Sequence, residues 1–173
     1  AISNNLLFNR RQWVEHFERL WFAGEYRGFI AVSKAFDQLL QQVKLENESN
    51  EWALTLINRS ALPAFKEAEL EASLSWIWLA SKAMASGKAV DNTLLEEGAV
   101  ACRQWFDTYI AAPDSKLLLL FQQVADFLER FYLARTAWFD CTDVCEKAYQ
   151  LYHNHEAWMK VIHTLKTLSH IQY

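Results

Sequence analysis

Glycine and proline are so scarce in this chain that few sharp turns can interrupt it. Only four glycines and two prolines occur among 173 residues, and much of the remainder is Ala, Leu, Glu, Gln, Lys and Arg, which carry small penalties in helices. Because glycine and proline are the strongest turn-formers, this composition predicts long helices with few connections. No alternating polar and apolar run is long enough to predict a strand. We therefore expect an all-α fold.

Apolar residues recur every three to four positions in seven or eight segments, the spacing of helices with one buried face. We expect successive helices to pair as antiparallel hairpins, and 173 residues suit a single helical domain over residues 1–173. Helix starts predicted near residues 6, 51, 93 and 141 lie 42 to 48 residues apart, the length of a HEAT-like repeat. The prediction is thus a compact bundle or a short helical-repeat stack of the HEAT or tetratricopeptide type.

Local signals predict where several helices begin and end. Gly24 is expected to end the first helix, because glycine is favoured just past a helix C-terminus. The polar segment Lys44–Asn50 is predicted to be a loop. Pro63 is expected in the first turn of a helix that continues toward Met84, since a missing N–H has no cost there.

The longest helix is predicted between the second proline and the cysteine pair. Asp114 or Ser115 is expected to cap it. Its apolar spacing continues far enough to include Trp138 and Phe139, and the next helix is expected to open at Asp140 or Thr142.

The charge distribution argues against nucleic-acid and anionic-membrane binding. The net charge is −4, with nine basic and ten acidic residues over 1–86 and eight and eleven over 87–173. Neither half is a basic patch, so we predict no nucleic-acid partner. Lys82 interrupts the strongest apolar run, so we also predict no membrane insertion. The odd number of cysteines, three, favours a reducing compartment, and a cytoplasmic location is predicted.

One group of residues has the elements of a metal site but not the spacing. Cys141, Cys145, His153 and His155 form a C-x3-C-x7-H-x-H pattern that matches no common zinc arrangement. Both cysteines lie on an apolar helical stripe, where buried thiols are ordinary core residues. HExxH, GxSxG and glycine-rich phosphate loops are absent from the sequence. We predict no metal, no cofactor and no catalytic residue.

Large aromatic and apolar side chains are concentrated in two places. The eight tryptophans are expected to serve mainly in core packing. Residues 73–80 are apolar on nearly every side of a helix, so Trp76 and Trp78 must be surrounded by the core or by a subunit interface. Around residues 131–139, Arg135 and Trp138 add the cationic and aromatic composition of interface hot spots, although a core with a snorkelling arginine is the alternative. These four residues are the predicted partner-binding residues.

The function predicted from these features is a protein–protein interaction module. It would be a helical adaptor, chaperone or regulatory subunit that presents an aromatic-rich apolar surface to another protein, or to a second copy in a homodimer or larger oligomer. The alternative is a small-molecule-sensing domain with an aromatic-lined pocket between helices. An enzyme whose residues meet only in three dimensions is the third hypothesis, and no sequence motif identifies its residues.

Overall fold

The computed structural model of the chain describes residues 2–42, 51–85, 93–154 and 164–169, with side chains from residue 10 onward. Its regular elements within these ranges are all helical, and the all-α prediction is confirmed. Residues 164–169 are helical, two 3₁₀ turns occupy Glu67–Glu69 and Ser115–Leu117, and α1 begins before its predicted start. The seven longer helices are α1 Ile2–Phe22, α2 Tyr26–Gln42, α3 Glu51–Asn58, α4 Leu70–Met84, α5 Thr93–Ala111, α6 Leu118–Ala134 and α7 Trp138–Asn154.

The chain divides into two compact units, Ala1–Ala89 and Val90–Tyr173. In the first unit, α1 packs on α2, α2 packs on α4, and α3 packs on α4. In the second unit, α6 packs on both α5 and α7. The expected pairing of helices is therefore present in each unit. The single domain over residues 1–173 stays a prediction, as does the loop at Lys44–Asn50, which lies outside the described residues.

The first unit has a core of interlocking aromatic rings. The ring of Phe17, which is fully buried, has its centroid 4.8 Å from that of Trp52 and 5.6 Å from that of Phe36. Trp21 packs against Phe29 at 5.0 Å, edge to face. Full burial of a phenylalanine side chain stabilises a fold by about 1.5–3 kcal/mol, so this cluster is a main source of the unit's stability.

The second unit has its own aromatic core between α5, α6 and α7. Phe121 on α6 stacks on Phe106 and Tyr109 of α5, with ring centroids 5.1 and 4.7 Å apart. From α7, Tyr152 meets Phe121 edge to face at 5.8 Å. Phe106 and Phe121 are fully buried. One phenylalanine of α6 thus contacts rings from both neighbouring helices.

Gly24 ends α1, as the sequence predicts. Its φ is +75°, its N–H donates to the carbonyl of Trp21 at 3.1 Å, and the next N–H, of Glu25, donates to the carbonyl of Leu20 at 2.9 Å. This pair of hydrogen bonds is a Schellman motif, which satisfies carbonyls that the helix end leaves open. Glycine suits the position because a left-handed φ costs it almost nothing.

A second Schellman motif ends α6, with threonine in the glycine position. Thr136 has φ +55° and donates its N–H to the carbonyl of Leu133 at 3.0 Å. The N–H of Ala137 donates to the carbonyl of Tyr132 at 2.8 Å. A β-branched residue with positive φ is a strained conformation. The helix α6 therefore ends at Ala134 without the glycine that usually follows a helix end.

The prediction that the longest helix lies here is wrong, since α6 has 17 residues and α1 has 21. The prediction that this helix includes Trp138 and Phe139 is also wrong. These residues form the first turn of α7 instead, four positions after α6 ends at Ala134. Helical spacing of apolar residues continues through the connection, so periodicity alone does not reveal the break. Asp114, one of the two predicted caps, does act as a cap. Its carboxylate accepts the N–H of Lys116 at 3.0 Å in the 3₁₀ turn that precedes α6.

Pro63 does not begin a helix, which corrects the second predicted start. It lies in an irregular connection, and α4 begins only at Leu70. Phe65, two residues later, has φ +41° and is buried, so a helix cannot run through it. The Glu69 carboxylate accepts the N–H of Ala64 at 2.8 Å, which folds the connection back onto the start of α4.

Candidate functional site

Two consecutive aromatic side chains project from the first turn of α7. Trp138 is 58% exposed and Phe139 is 84% exposed, more than any other large apolar side chain among the described residues. Both belong to a helix that packs on α6, and Cys141 in the same turn is fully buried. The two rings are therefore held at the surface by a packed element.

Arg135 lies at the end of α6, immediately before this turn. Its guanidinium carbon is 4.6 Å from the centroid of the Phe131 ring, a cation–π contact. Its Nη1 is 3.2 Å from Oε1 of Glu96 on α5. These contacts fix a half-buried cation three residues before the first exposed ring. We call Arg135, Trp138 and Phe139 together the α6–α7 surface.

The other two predicted partner-binding residues lie in the first unit. Trp76 is 2% exposed and meets the ring of Phe65 edge to face at 6.0 Å, so it is a core residue of that unit. Trp78 is half-buried, and its Nε1 donates to Oγ of Ser33 at 2.8 Å. A partner role for these two tryptophans stays a prediction, and we leave them out of the surface proposed below.

Cations cover the Trp78 ring within its own unit. The Nζ atoms of Lys34 and Lys82 lie 5.2 and 4.7 Å from the ring centroid. Lys82 also forms an ion pair with Asp37 on α2. Trp78 thus has its N–H and its ring both engaged by neighbouring helices, in contrast to Trp138.

A buried carboxylate, Glu129, faces α7 from α6. It is 8% exposed, its backbone carbonyl accepts the Cys141 thiol at 3.6 Å, and its side chain hydrogen-bonds the Cys145 thiol. The pKa of Glu129 is raised to about 7, mainly by burial and also by the nearby Asp126 carboxylate, while Cys145 and Arg130 oppose the rise. This group therefore changes charge near neutral pH.

The cysteines are poor nucleophiles in this environment. All three are fully buried and free. Burial raises the pKa of Cys102, and burial together with the Glu129 carboxylate raises the pKa of both Cys141 and Cys145. Because the thiolate is the reactive form, the thiols are held in their inert state.

The described residues contain no group of three or more His, Cys, Asp and Glu side chains placed to bind a metal ion. Cys141 and Cys145 are buried, whereas His153 is exposed and stacks on Tyr149. His155, the fourth member of the sequence pattern, lies outside the described residues.

No described helix is long and apolar enough to cross a bilayer. The cytoplasmic location stays a prediction.

Two cavities in the described part of the chain differ from the pocket of the small-molecule hypothesis. One of about 680 Å³ and another of about 560 Å³ lie along α1. Tryptophan lines neither cavity. The first is lined by Gln12, Glu15, Glu18, Arg19 and Phe22. Charged walls of this kind do not suit an apolar or aromatic ligand.

Two features of this region were not predicted from the sequence. Phe139 is predicted at the end of the longest helix, because the apolar spacing continues to it and nothing nearby resembles a turn. Its place in the first turn of α7 is a finding of the structure. Glu129 follows Phe121 and Ala125 at intervals of four residues, and this position on an apolar stripe is the signal that could have identified a buried carboxylate.

No family model, curated protein or solved structure matches this chain. The function proposed below accordingly rests on the chain's own residues.

Proposed function

We propose that this chain is a protein–protein interaction module, of the adaptor or regulatory kind, whose α6–α7 surface inserts into an apolar pocket of another protein. The exposure of Trp138 and Phe139 on a packed helix is the observation that supports it. Most large aromatic side chains in the described ranges are buried or half-buried. Exposed apolar patches commonly mark sites of protein contact.

The composition of the surface suits an interaction hot spot. Tryptophan, arginine and aromatic residues dominate binding energy at interfaces, where they fill pockets on the partner. The Arg135 guanidinium is already held by Glu96 and Phe131. Less side-chain freedom therefore remains to be lost when a partner binds.

The exposed area favours a partner with a pocket over a second copy of the chain. Aromatic side chains bury roughly 150–250 Å² each, so the exposed parts of Trp138 and Phe139 amount to roughly 300 Å². A stable dimer of standard size buries about 800 Å² on each subunit. Two projecting rings of this area fit the role of an anchor that enters a recess on a different protein.

The charges beside the rings indicate the rim of that recess. Asp140 follows Phe139 and is exposed, whereas the exposed Glu96 carboxylate is paired with Arg135. A basic side chain at the rim of the pocket would complement the Asp140 carboxylate and exclude acidic competitors. We therefore expect an apolar pocket with a basic rim.

The test compares Trp138→Ala/Phe139→Ala with the matched control Leu119→Ala. Leu119 is 54% exposed in the first turn of α6, at the opposite end of a 17-residue helix from the surface, or about 25 Å away. We expect wild type and the control to capture the same protein from the native source. Calorimetric titration of that protein should show at least about thirtyfold weaker binding by the double variant.

Two further measurements assign the contact. A photo-reactive amino acid placed at position 139 should cross-link to the captured protein, and one at position 119 should not. The double variant should unfold within about 0.5 kcal/mol of wild type, since exposed side chains contribute little to stability. Equal affinity of wild type and double variant contradicts the proposal. Self-association of the wild type by light scattering, lost in the double variant, would instead assign the surface to a second copy.

A further inference from the structure

We propose that Glu129 is a proton-controlled switch in the packing of α7 on α6. With the carboxyl group neutral the two helices stay closed, and ionisation of the carboxyl promotes local opening of α7. This inference goes beyond the proposed function and is testable without any partner.

The side chain lies inside the contact between the two helices. Glu129 is 8% exposed, and two thiols one helical turn apart on α7 contact it. The Cys141 thiol donates to the Glu129 backbone carbonyl at 3.6 Å, and the Cys145 thiol hydrogen-bonds the Glu129 side chain. Thiols are weak hydrogen-bonding groups, so they compensate a buried negative charge poorly.

The other ionisable groups around Glu129 do not neutralise it. On its own helix, Asp126 opposes ionisation, while Arg130 is exposed and acts only through its charge. On α7, Tyr152 is a buried phenol whose pKa is raised by burial and, further, by the Asp126 and Glu129 carboxylates. Among the described residues no cation forms an ion pair with Glu129.

Helix α5 also packs on α6, and its cation is engaged elsewhere. Arg103 forms ion pairs with Asp107 on its own helix and with Asp143 on α7, and it lies against Tyr132. The thiol of Cys102 is buried and neutral. A carboxylate formed at position 129 therefore gains no compensating charge from the described part of α5.

The sign of the pH effect follows from the raised pKa. Burial raises the pKa of Glu129 from an ordinary value of 4.5 to about 7. A group whose pKa is higher in the packed state stabilises that state fully below its ordinary pKa, and this contribution is lost as the pH rises through about 7. The closed packing of α7 is thus strongest in mild acid, and the change falls between pH 4.5 and 7.

The switch is adjacent to the aromatic anchors. Cys141, which contacts Glu129, is three residues after Trp138 and lies in the same helical turn. Opening of this turn would loosen the support of the exposed rings. The effect on partner binding is the one step that rests on the proposed function.

The experiment follows the Glu129 carboxyl carbon by NMR in the whole chain between pH 4 and 9. We expect an apparent pKa near 7, and a value between 4 and 5 would overturn the proposal. Amide hydrogen exchange of α7, corrected for intrinsic rates, reports the opening. The opening constant should rise about twentyfold between pH 5.5 and 7.5, as expected for a group that titrates at 4.5 when open and at 7 when closed.

Glu129→Gln and Glu146→Gln form a matched pair of variants on the two helices. Glu146 is exposed on α7, so its substitution should leave the pH dependence unchanged. Glu129→Gln should abolish it, and a pH dependence that persists in this variant contradicts the proposal. If Glu129→Gln fails to fold, the carboxyl titration of the wild type still decides. If Glu129 titrates as expected but the affinity for the partner does not change between pH 5.5 and 7.5, only the link to the proposed function is contradicted.

Discussion

At the scale of single residues, two buried serines in α4 differ in one hydrogen bond. Ser73 and Ser75 are both fully buried. The hydroxyl of Ser73 donates to the carbonyl of Glu69 at 2.7 Å, whereas that of Ser75 has no partner among the described residues. An unsatisfied buried hydroxyl lowers stability, while a satisfied one contributes modestly.

We expect Ser75→Ala to raise the free energy of unfolding by about 1 kcal/mol and Ser73→Ala to lower it by a similar amount. Urea denaturation of both variants measures the difference, with the slope on denaturant concentration as the check that the unfolded state is unchanged. Equal effects of the two substitutions would show that the Ser75 hydroxyl is satisfied in solution.

The same scale shows why the candidate site was only partly predictable. Trp76 and Trp138 have the same side chain and similar apolar neighbours in sequence, yet one is 2% exposed and the other 58%. Composition indicates that such residues contact something, but only packing decides whether the contact lies inside the fold. Glu129 shows the converse, because it is a charged residue to which the sequence analysis assigns no role, and packing buries it.

At the scale of helices, the ends of α1 and α6 are the same motif built with different residues. Gly24 at φ +75° and Thr136 at φ +55° occupy equivalent positions. An added Cβ at Gly24 would meet nothing within 4 Å. Any cost of a larger residue at position 24 therefore comes from the backbone conformation alone. For residues other than glycine the left-handed conformation costs about 1–2 kcal/mol.

Reciprocal substitutions test this cost. Gly24→Thr should lower the free energy of unfolding by about 1–2 kcal/mol. Thr136→Gly should raise it by about 0.5–1 kcal/mol, because the relief of strain is partly offset by the greater freedom of glycine in the unfolded chain. Thermal unfolding of each variant against wild type provides the measurement. Destabilisation by Thr136→Gly would mean that the threonine side chain stabilises the turn by more than its strain costs.

Helix ends were predictable only where the chemistry is conventional. Gly24 and Asp114 are standard terminators and caps, and the structure uses both in those roles. Thr136 carries no such signal, and the apolar spacing from Phe131 to Trp138 hides the break. The helix start predicted at Pro63 is wrong, because a proline suits a first helical turn and an irregular connection equally well.

At the scale of the whole molecule, composition predicted the fold class and the use of the aromatic residues. The scarcity of glycine and proline predicted helices, and helices are the regular elements of the described ranges. Of the seven tryptophans within those ranges, three are buried, three half-buried and one exposed. Core packing was therefore the correct general expectation. The division into two compact units has no counterpart in the sequence, where no composition shift marks it.

All three cysteines belong to the unit Val90–Tyr173, and each thiol is buried. A thiol reagent can therefore modify the chain only when that unit opens. The rate of alkylation under native conditions thus measures how often the unit opens. The unit Ala1–Ala89 has no cysteine, so the reagent does not modify it. This asymmetry makes native thiol labelling a direct test of whether 1–173 behaves as one cooperative domain.

Leu79 in the first unit and Leu128 in the second are fully buried, and replacement of either by alanine should cost about 2–5 kcal/mol. Leu128→Ala should accelerate alkylation at least about thirtyfold, because 1.36 kcal/mol corresponds to a factor of ten. If the chain is one domain, Leu79→Ala should accelerate it as well, although it lies in the unit without thiols. An unchanged rate in Leu79→Ala would mean that the two units open independently.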